Sequence, residues 1–83
     1  MSAERAELAE LVAMAARGRV APAELEPSTP LLKGGVALDS VEVLELVVSL
    51  EERYGIELRP DELAHHLHTF ERLEAVVSAR RGR

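Results

Sequence analysis

The stretch LDSVEVLELVVSLEERYGIEL, residues 38–58, decides the fold of this chain. Apolar residues recur in it three and four positions apart, the spacing that places side chains on one face of an α-helix. This apolar stripe consists of Val43, Leu46, Val47, Leu50 and Tyr54. We expect the helix to begin at Asp39 or Ser40 and to end near Tyr54, because Gly55 is a residue type that stops helices. The middle of the chain is therefore predicted to be a helix rather than a strand.

The first turn of this helix carries the most chemical information. Asp39 and Glu42 are three positions apart, which matches an N-cap residue followed by an acid at N3, a relative of the capping box. If Asp39 is the cap, Ser40 is the first helical residue, and its hydroxyl lies where backbone N–H groups lack partners. The helix dipole would favour an anion attached there. In the alternative interpretation, Ser40 is itself the cap or an ordinary polar surface residue.

A second apolar line runs along the same helix, beside the first. Its members are Val41, Leu44 and Val48, and the acids that border it are Glu42, Glu45, Glu51 and Glu52. A domain of 83 residues has too little interior to bury both lines of one helix. We therefore predict an exposed aliphatic strip edged with acids, which suits a basic groove on a partner protein. The alternative is that the three apolar residues complete a broad core face against a loop.

Three further helices are predicted from similar patterns. The first spans residues 3–17, with Ser2 as its cap and Gly18 as its stop. Pro60 begins a short third helix, because proline suits the first helical turn and acids follow it. Thr69 caps the last helix. The apolar faces are Leu8, Leu11, Val12 and Ala15 in the first helix, and Phe70, Leu73, Val76 and Val77 in the last.

Residues 18–38 are predicted to form a long connection between the first two helices. Three prolines and the pair Gly34-Gly35 interrupt any longer regular element there. Long ordered loops in small domains tend to be functional or to be pinned by apolar side chains. The expected anchors are Leu25, Leu31, Leu32 and Leu38.

Composition narrows the class of function. The chain is 47% hydrophobic and 30% charged, so we expect one small globular domain over residues 1–83, without room for a deep catalytic cleft. It contains no cysteine, and therefore no thiol nucleophile and no cysteine ligand for zinc. The net charge is −5, with eight acids against two arginines in residues 39–62, which argues against nucleic acid and anionic membranes as partners. The N-terminus lacks a basic-then-apolar signal, so we expect a cytoplasmic protein. The start at Met1, the ends without linker-like composition and the compact length lead us to expect a freestanding protein.

The sequence resembles an acyl carrier protein, a member of the phosphopantetheine-attachment family. The resemblance rests on Leu38-Asp39-Ser40-Val41 and continues through Leu58. It implies an all-α four-helix bundle of the acyl-carrier type, with a long loop between helices I and II and a short helix III. It also implies that Ser40 receives a 4′-phosphopantetheine arm from coenzyme A, and that Asp39 assists the modifying transferase through that enzyme's metal ion.

Two residues depart from the family's usual pattern. Ala37 stands where the family usually has Gly, and Val41 stands where it usually has Leu. We expect the pair Gly34-Gly35, slightly upstream, to supply the backbone freedom that Ala37 lacks.

For function, the resemblance implies a carrier without activity of its own. The thiol of the arm would hold acyl groups as thioesters and present them to partner enzymes. The expected partners of this monomeric carrier are a phosphopantetheinyl transferase and acyl-loading and condensing enzymes with basic docking surfaces. The modest acidity and the Arg-rich C-terminus favour polyketide, fatty-acid-like or related specialised biosynthesis. The alternatives are an aminoacyl or peptidyl carrier of nonribosomal type, and a helical adaptor that carries no prosthetic group.

Three histidines, His65, His66 and His68, follow the short third helix. Neither a cysteine nor a nearby carboxylate at ligand spacing accompanies them, so we expect solvated surface residues rather than a metal site. The arginines at the C-terminus are expected to complement the dipole of the last helix.

Overall fold

The computed structural model describes residues 3–81, which form four α-helices and no strand. Helix α1 spans Ala3–Ala15, α2 spans Ser40–Tyr54, α3 spans Pro60–Ala64 and α4 spans Phe70–Arg81. A short 3₁₀ helix, Pro22–Glu24, lies in the connection between α1 and α2. The predicted all-α architecture, with a long loop after the first helix and a short third helix, is confirmed. The expected cap Ser2 and the terminal Arg83 lie outside the described residues.

The predicted apolar faces of the helices meet in one hydrophobic core. Phe70, the first residue of α4, is fully buried and is the largest side chain in that core. The stripe of α2 is buried as predicted, except that Tyr54 at its end is only half-buried. The faces predicted for α1 and α4 are buried throughout, which confirms that the helical periodicity identified the core.

The long loop is held by apolar anchors and by backbone hydrogen bonds. Leu25, Leu31 and Leu38 are buried, as expected, whereas Leu32 is half-buried. The loop also accepts hydrogen bonds from the first backbone N–H groups of α4. Phe70 N donates to the carbonyl of Thr29 (2.9 Å), and Glu71 N donates to the carbonyl of Pro27 (2.9 Å). Because the first backbone N–H groups of a helix lack partners within it, these bonds tie the loop to α4.

Helix α1 ends two residues earlier than the apolar pattern predicted. Gly18 N donates to the carbonyl of Ala13 (3.2 Å) and Arg17 N donates to that of Met14 (3.0 Å), the two bonds of a Schellman motif. Arg17, with φ of 55°, thus occupies the left-handed position where glycine is usual. Gly18, the expected stop, follows it and is also left-handed, with φ of 80°.

Helices α2 and α4 have the caps that the sequence predicted. Gly55 ends α2 in the left-handed conformation, with φ of 65°, and its N–H donates to the carbonyl of Glu51 (2.9 Å). At the start of α4, the hydroxyl of Thr69 accepts a hydrogen bond from Arg72 N (3.2 Å). The helix that presents Ser40 is therefore bounded by local signals at both ends.

Candidate attachment site at the start of helix α2

A complete capping box begins α2. Glu42 N donates to Oδ1 of Asp39 (2.8 Å), and Asp39 N donates in return to Oε1 of Glu42 (3.1 Å). Asp39 is in an extended conformation, and Ser40 is the first helical residue. The predicted capping arrangement is confirmed, and the alternative in which Ser40 is itself the cap is wrong.

Ser40 is exposed to solvent beside its exposed neighbour Asp39. Within residues 3–81, no side chain or backbone group forms a hydrogen bond with the Ser40 hydroxyl. Asp39 uses Oδ1 for the cap, so its second carboxylate oxygen is available to a ligand. The hydroxyl and this carboxylate are thus presented together on a rigid helix end, near unpaired backbone N–H groups that favour an anion.

An apolar groove of about 420 Å³ opens next to Ser40, between α2 and α3. The groove is lined mainly by Leu32, Leu38, Val43, Leu44, Pro60 and Ala64. Asp39, Ser40 and Asp61 complete its lining. An aliphatic chain attached near Ser40 could bury part of its surface there.

The predicted aliphatic strip is exposed. Val41, Leu44 and Val48 are 54%, 49% and 52% exposed, respectively. We call these three residues the α2 strip. The alternative, in which they complete the core against the loop, is wrong, because the buried face of α2 is the other stripe.

Glu42 does not border the α2 strip, and this part of the prediction is wrong. Its side chain is only 2% exposed, and it bonds the guanidinium of Arg19 through both oxygens: Nη1 to Oε2 (2.6 Å) and Nη2 to Oε1 (2.7 Å). Arg17 Nε lies 3.7 Å from Oε2. The hydrogen bonds from Arg19 and from the N–H of Asp39 lower the pKa of Glu42 to about 2. A carboxylate at N3 folds back towards its cap, and here two arginines that follow α1, Arg17 and Arg19, cover it.

The other three acids differ in their surroundings. Glu45 is exposed but forms an ion pair with Arg17, with Nη2 to Oε1 at 2.6 Å. Glu51 is half-buried, and its Oε2 accepts a hydrogen bond from Leu58 N (3.2 Å), so it too departs from the predicted acidic border. Glu52 is exposed and has no ion-pair partner among residues 3–81. The acidic border of the α2 strip therefore consists of Glu45 and Glu52, and Arg17 partly neutralises it.

Sequence reasoning missed Arg17 and Arg19. The signal was present, since two arginines flank the glycine that follows α1. Their acidic partner is 23 residues away from Arg19, so no local pattern could have paired them.

The backbone before Asp39 shows why glycine is usual at the position of Ala37. Ala37 has φ of 58°, the left-handed region that favours glycine. The pair Gly34-Gly35 does not relieve Ala37, contrary to our expectation, because each glycine has a role of its own. Gly34 has φ of 87°, and a Cβ on Gly35 would stand 2.0 Å from the carbonyl oxygen of Pro30.

The three histidines that follow α3 lie at or near the surface. His65 and His68 are exposed and His66 is half-buried. Within residues 3–81, no group of three or more His, Cys, Asp or Glu side chains is placed to hold a metal ion. No helix in that range is long and apolar enough to cross a membrane.

Comparison with known proteins identifies the family. The family model described as the phosphopantetheine attachment site matches residues 7–77, which include all of α2, α3 and the loop between α1 and α2. Domains of this family carry 4′-phosphopantetheine as a prosthetic group and act as carriers. A search of curated proteins found no match, and neither did a search of solved structures. Because the family model covers far more than half of the chain and the capped serine of α2 lies within the match, the chain belongs to the phosphopantetheine-attachment family.

Proposed function

We propose that the protein is an acyl carrier protein whose 4′-phosphopantetheine arm is attached to Ser40. The observation that carries the proposal is the exposed Ser40 hydroxyl at the first position of α2, directly after the cap Asp39, in a chain of the attachment family. The other described serines, Ser28, Ser49 and Ser78, do not follow an aspartate at a helix start.

Attachment is a phosphoryl transfer to the Ser40 hydroxyl. The oxygen of Ser40 forms a bond to the phosphorus that bears the pantetheine portion of coenzyme A, and the bond from that phosphorus to the bridging oxygen breaks. Adenosine 3′,5′-bisphosphate leaves with the bridging oxygen, and the hydroxyl proton passes to a base of the transferase or to water. The second carboxylate oxygen of Asp39 can ligate the metal ion of the transferase while Oδ1 keeps the helix capped.

The residues around Ser40 fit such an arm. The exposed hydroxyl offers a tether, the start of α2 favours the phosphodiester charge, and the apolar groove accepts an aliphatic cargo. When bound, the arm supplies a thiol, which the chain lacks because it contains no cysteine. The chain itself supplies the tether, its orientation and a partly sheltered surface, and we assign it no catalytic residue.

Partner enzymes would dock on the α2 strip. Its three aliphatic side chains provide apolar contact area, and Glu45 and Glu52 provide charges for a basic surface on the partner. We propose a phosphopantetheinyl transferase and acyl-loading and condensing enzymes as these partners. A monomeric state, a cytoplasmic location and a single domain over residues 1–83 remain predictions.

The groove favours an acyl cargo over an aminoacyl one. Its lining is mostly aliphatic, and its only charged side chains are the aspartates Asp39 and Asp61. An alkyl or polyketide chain would be removed from water along the whole aliphatic lining, whereas a charged ammonium group would find partners only at the two aspartates. We therefore propose polyketide, fatty-acid-like or related specialised biosynthesis ahead of a nonribosomal peptide pathway.

Intact-mass spectrometry tests the proposal. The protein is incubated with coenzyme A and a phosphopantetheinyl transferase of broad carrier tolerance, and we expect the added mass of one arm. Ser40→Ala should abolish the added mass and leave the helical circular dichroism unchanged, because the side chain is exposed and makes no cap.

Ser49→Ala, a serine-to-alanine change on the same helix, is the matched control and should be modified like the wild type. A wild-type chain that accepts no arm would favour the unmodified adaptor. An arm on Ser40→Ala would contradict the assignment of the site.

A further inference from the structure

Arg19 joins three parts of the chain that meet beside Ser40. Both of its terminal nitrogens bond the buried carboxylate of Glu42, at 2.6 and 2.7 Å. Its Nη2 also donates to the backbone carbonyls of Val36 (3.3 Å) and Ala37 (3.4 Å). One side chain from the loop after α1 thus holds both the segment that leads into α2 and the first turn of α2.

Glu42 transmits this contact to the residue before Ser40. The oxygen Oε1 that accepts from Arg19 Nη2 also accepts from the N–H of Asp39, at 3.1 Å. Without Arg19, the carboxylate would be buried beside Arg17 alone, whose Nε is 3.7 Å away, and it would tend to turn outward to water. Asp39 N would then lose its acceptor, and Ala37, in a left-handed conformation that alanine disfavours, would be held by fewer bonds.

We propose that Arg19 is a positioning residue for arm attachment, acting through Glu42 to hold Asp39 and Ser40 in the orientation that the transferase requires. This inference rests on the proposed function of Ser40. Arg19 itself touches neither the Ser40 hydroxyl nor the α2 strip, so its effect is on the orientation of the acceptor and not on the docking surface.

Such a role has a kinetic signature. Docking through the α2 strip determines how tightly the transferase binds the carrier, whereas the orientation of Ser40 determines how often a bound carrier reacts. Arg19→Gln should therefore lower kcat with apo-carrier as the varied substrate, by roughly 10- to 100-fold as for a slightly misplaced reactant, with KM nearly unchanged. Leu44→Ala, on the α2 strip, should instead raise KM.

Arg5→Gln is the matched control. Arg5 also bonds a distant glutamate with two nitrogens, Nε and Nη2 to Glu74 at 2.7–3.0 Å, but it does so between α1 and α4. The Arg5→Gln substitution removes an arginine from a bidentate pair, as Arg19→Gln does. This pair contacts neither Asp39 nor Ser40. We expect the Arg5→Gln variant to keep the wild-type kcat for attachment, whatever stability it loses.

Amide hydrogen exchange reports on the same contact without the transferase. In the Arg19→Gln variant, the N–H of Asp39 should exchange about tenfold faster than in the wild type. The exchange rates of amides in the middle of α2 should change only as much as the global stability of the variant changes. In Arg5→Gln, the Asp39 amide should change only as much as the rest of α2. A merely structural role of Arg19 would move all amides together.

The outcomes separate the two proposals. If the wild type accepts no arm, the function of Ser40 is wrong and the role of Arg19 with it. If the wild type is modified and Arg19→Gln reacts with a kcat within about twofold of it, only the role of Arg19 is overturned. An equal loss of kcat in Arg5→Gln would also overturn it.

Should Arg19→Gln not fold, Arg19→Lys keeps the charge without the bidentate geometry and should still show a reduced kcat and faster Asp39 exchange. If the Arg19→Lys variant has the wild-type kcat and the wild-type exchange rate of the Asp39 amide, the positioning role of Arg19 is overturned.

Discussion

Replacing Ala37 by glycine should stabilise this protein, although glycine usually weakens a folded chain. Ala37 has φ of 58°, where an L-residue with a Cβ is disfavoured by about 1–2 kcal/mol. Glycine removes that strain but costs about 0.5–1 kcal/mol through the larger freedom of the unfolded chain. Ala37 is exposed, so no buried methyl group is lost, and its carbonyl remains available to Arg19. The difference between these two ranges is a rise of about 0–1.5 kcal/mol in the free energy of unfolding, centred on about 0.75 kcal/mol.

Urea denaturation followed by circular dichroism at the helical wavelengths measures this difference. Ala23→Gly is the matched control, because Ala23 is exposed in the same loop, lies inside the 3₁₀ helix and is not among the described residues with a positive φ. That substitution should lower the free energy of unfolding by about 0.4–1 kcal/mol. Opposite signs for the two variants would support the strain at Ala37. A loss of stability of similar size in both would refute it.

Three further measurements test the core, the buried acid and the docking surface. Leu46→Ala should lower the free energy of unfolding by roughly 2–5 kcal/mol in urea, because Leu46 is fully buried. The pKa of Glu42 is lower in the folded protein, about 2, than its ordinary value of 4.5, so the stability that its ionised form provides is present above pH 4.5 and is lost as the pH falls towards 2. The urea midpoint of Glu42→Gln should accordingly be lower than that of the wild type at pH 7, and the gap should narrow over that acidic window. Reversing Glu45 and Glu52 together to Lys should slow arm attachment most at low salt, because the Debye length is only about 8–10 Å in ordinary buffers. The matched control reverses two exposed acids away from the α2 strip, Glu26 and Glu71. Equal slowing by both pairs would mean that net charge, rather than this surface, governs recognition.

Local patterns in the sequence were enough to predict α2 and the position of Ser40. The capping box joins residues three positions apart, Asp39 and Glu42, and the cap Gly55 bonds four residues back to Glu51. The two apolar lines of α2 differ in angle around one helix, so a small domain could bury only one of them. These features depend on spacing along a single helix, which is why the core stripe and the exposed strip could both be read from residues 38–58.

The tertiary structure alone decided which acids are exposed beside the α2 strip. As an N3 residue, Glu42 could have pointed to solvent, and its burial depends on Arg19, 23 residues earlier. Glu51 likewise accepts a hydrogen bond from the N–H of Leu58, a residue of the segment that follows α2. The left-handed conformation of Ala37 and the groove beside Ser40 depend on the path of the loop and on the placement of α3. Periodicity and capping report interactions within about one helical turn, whereas an ion pair or a groove forms between segments that only the folded chain brings together.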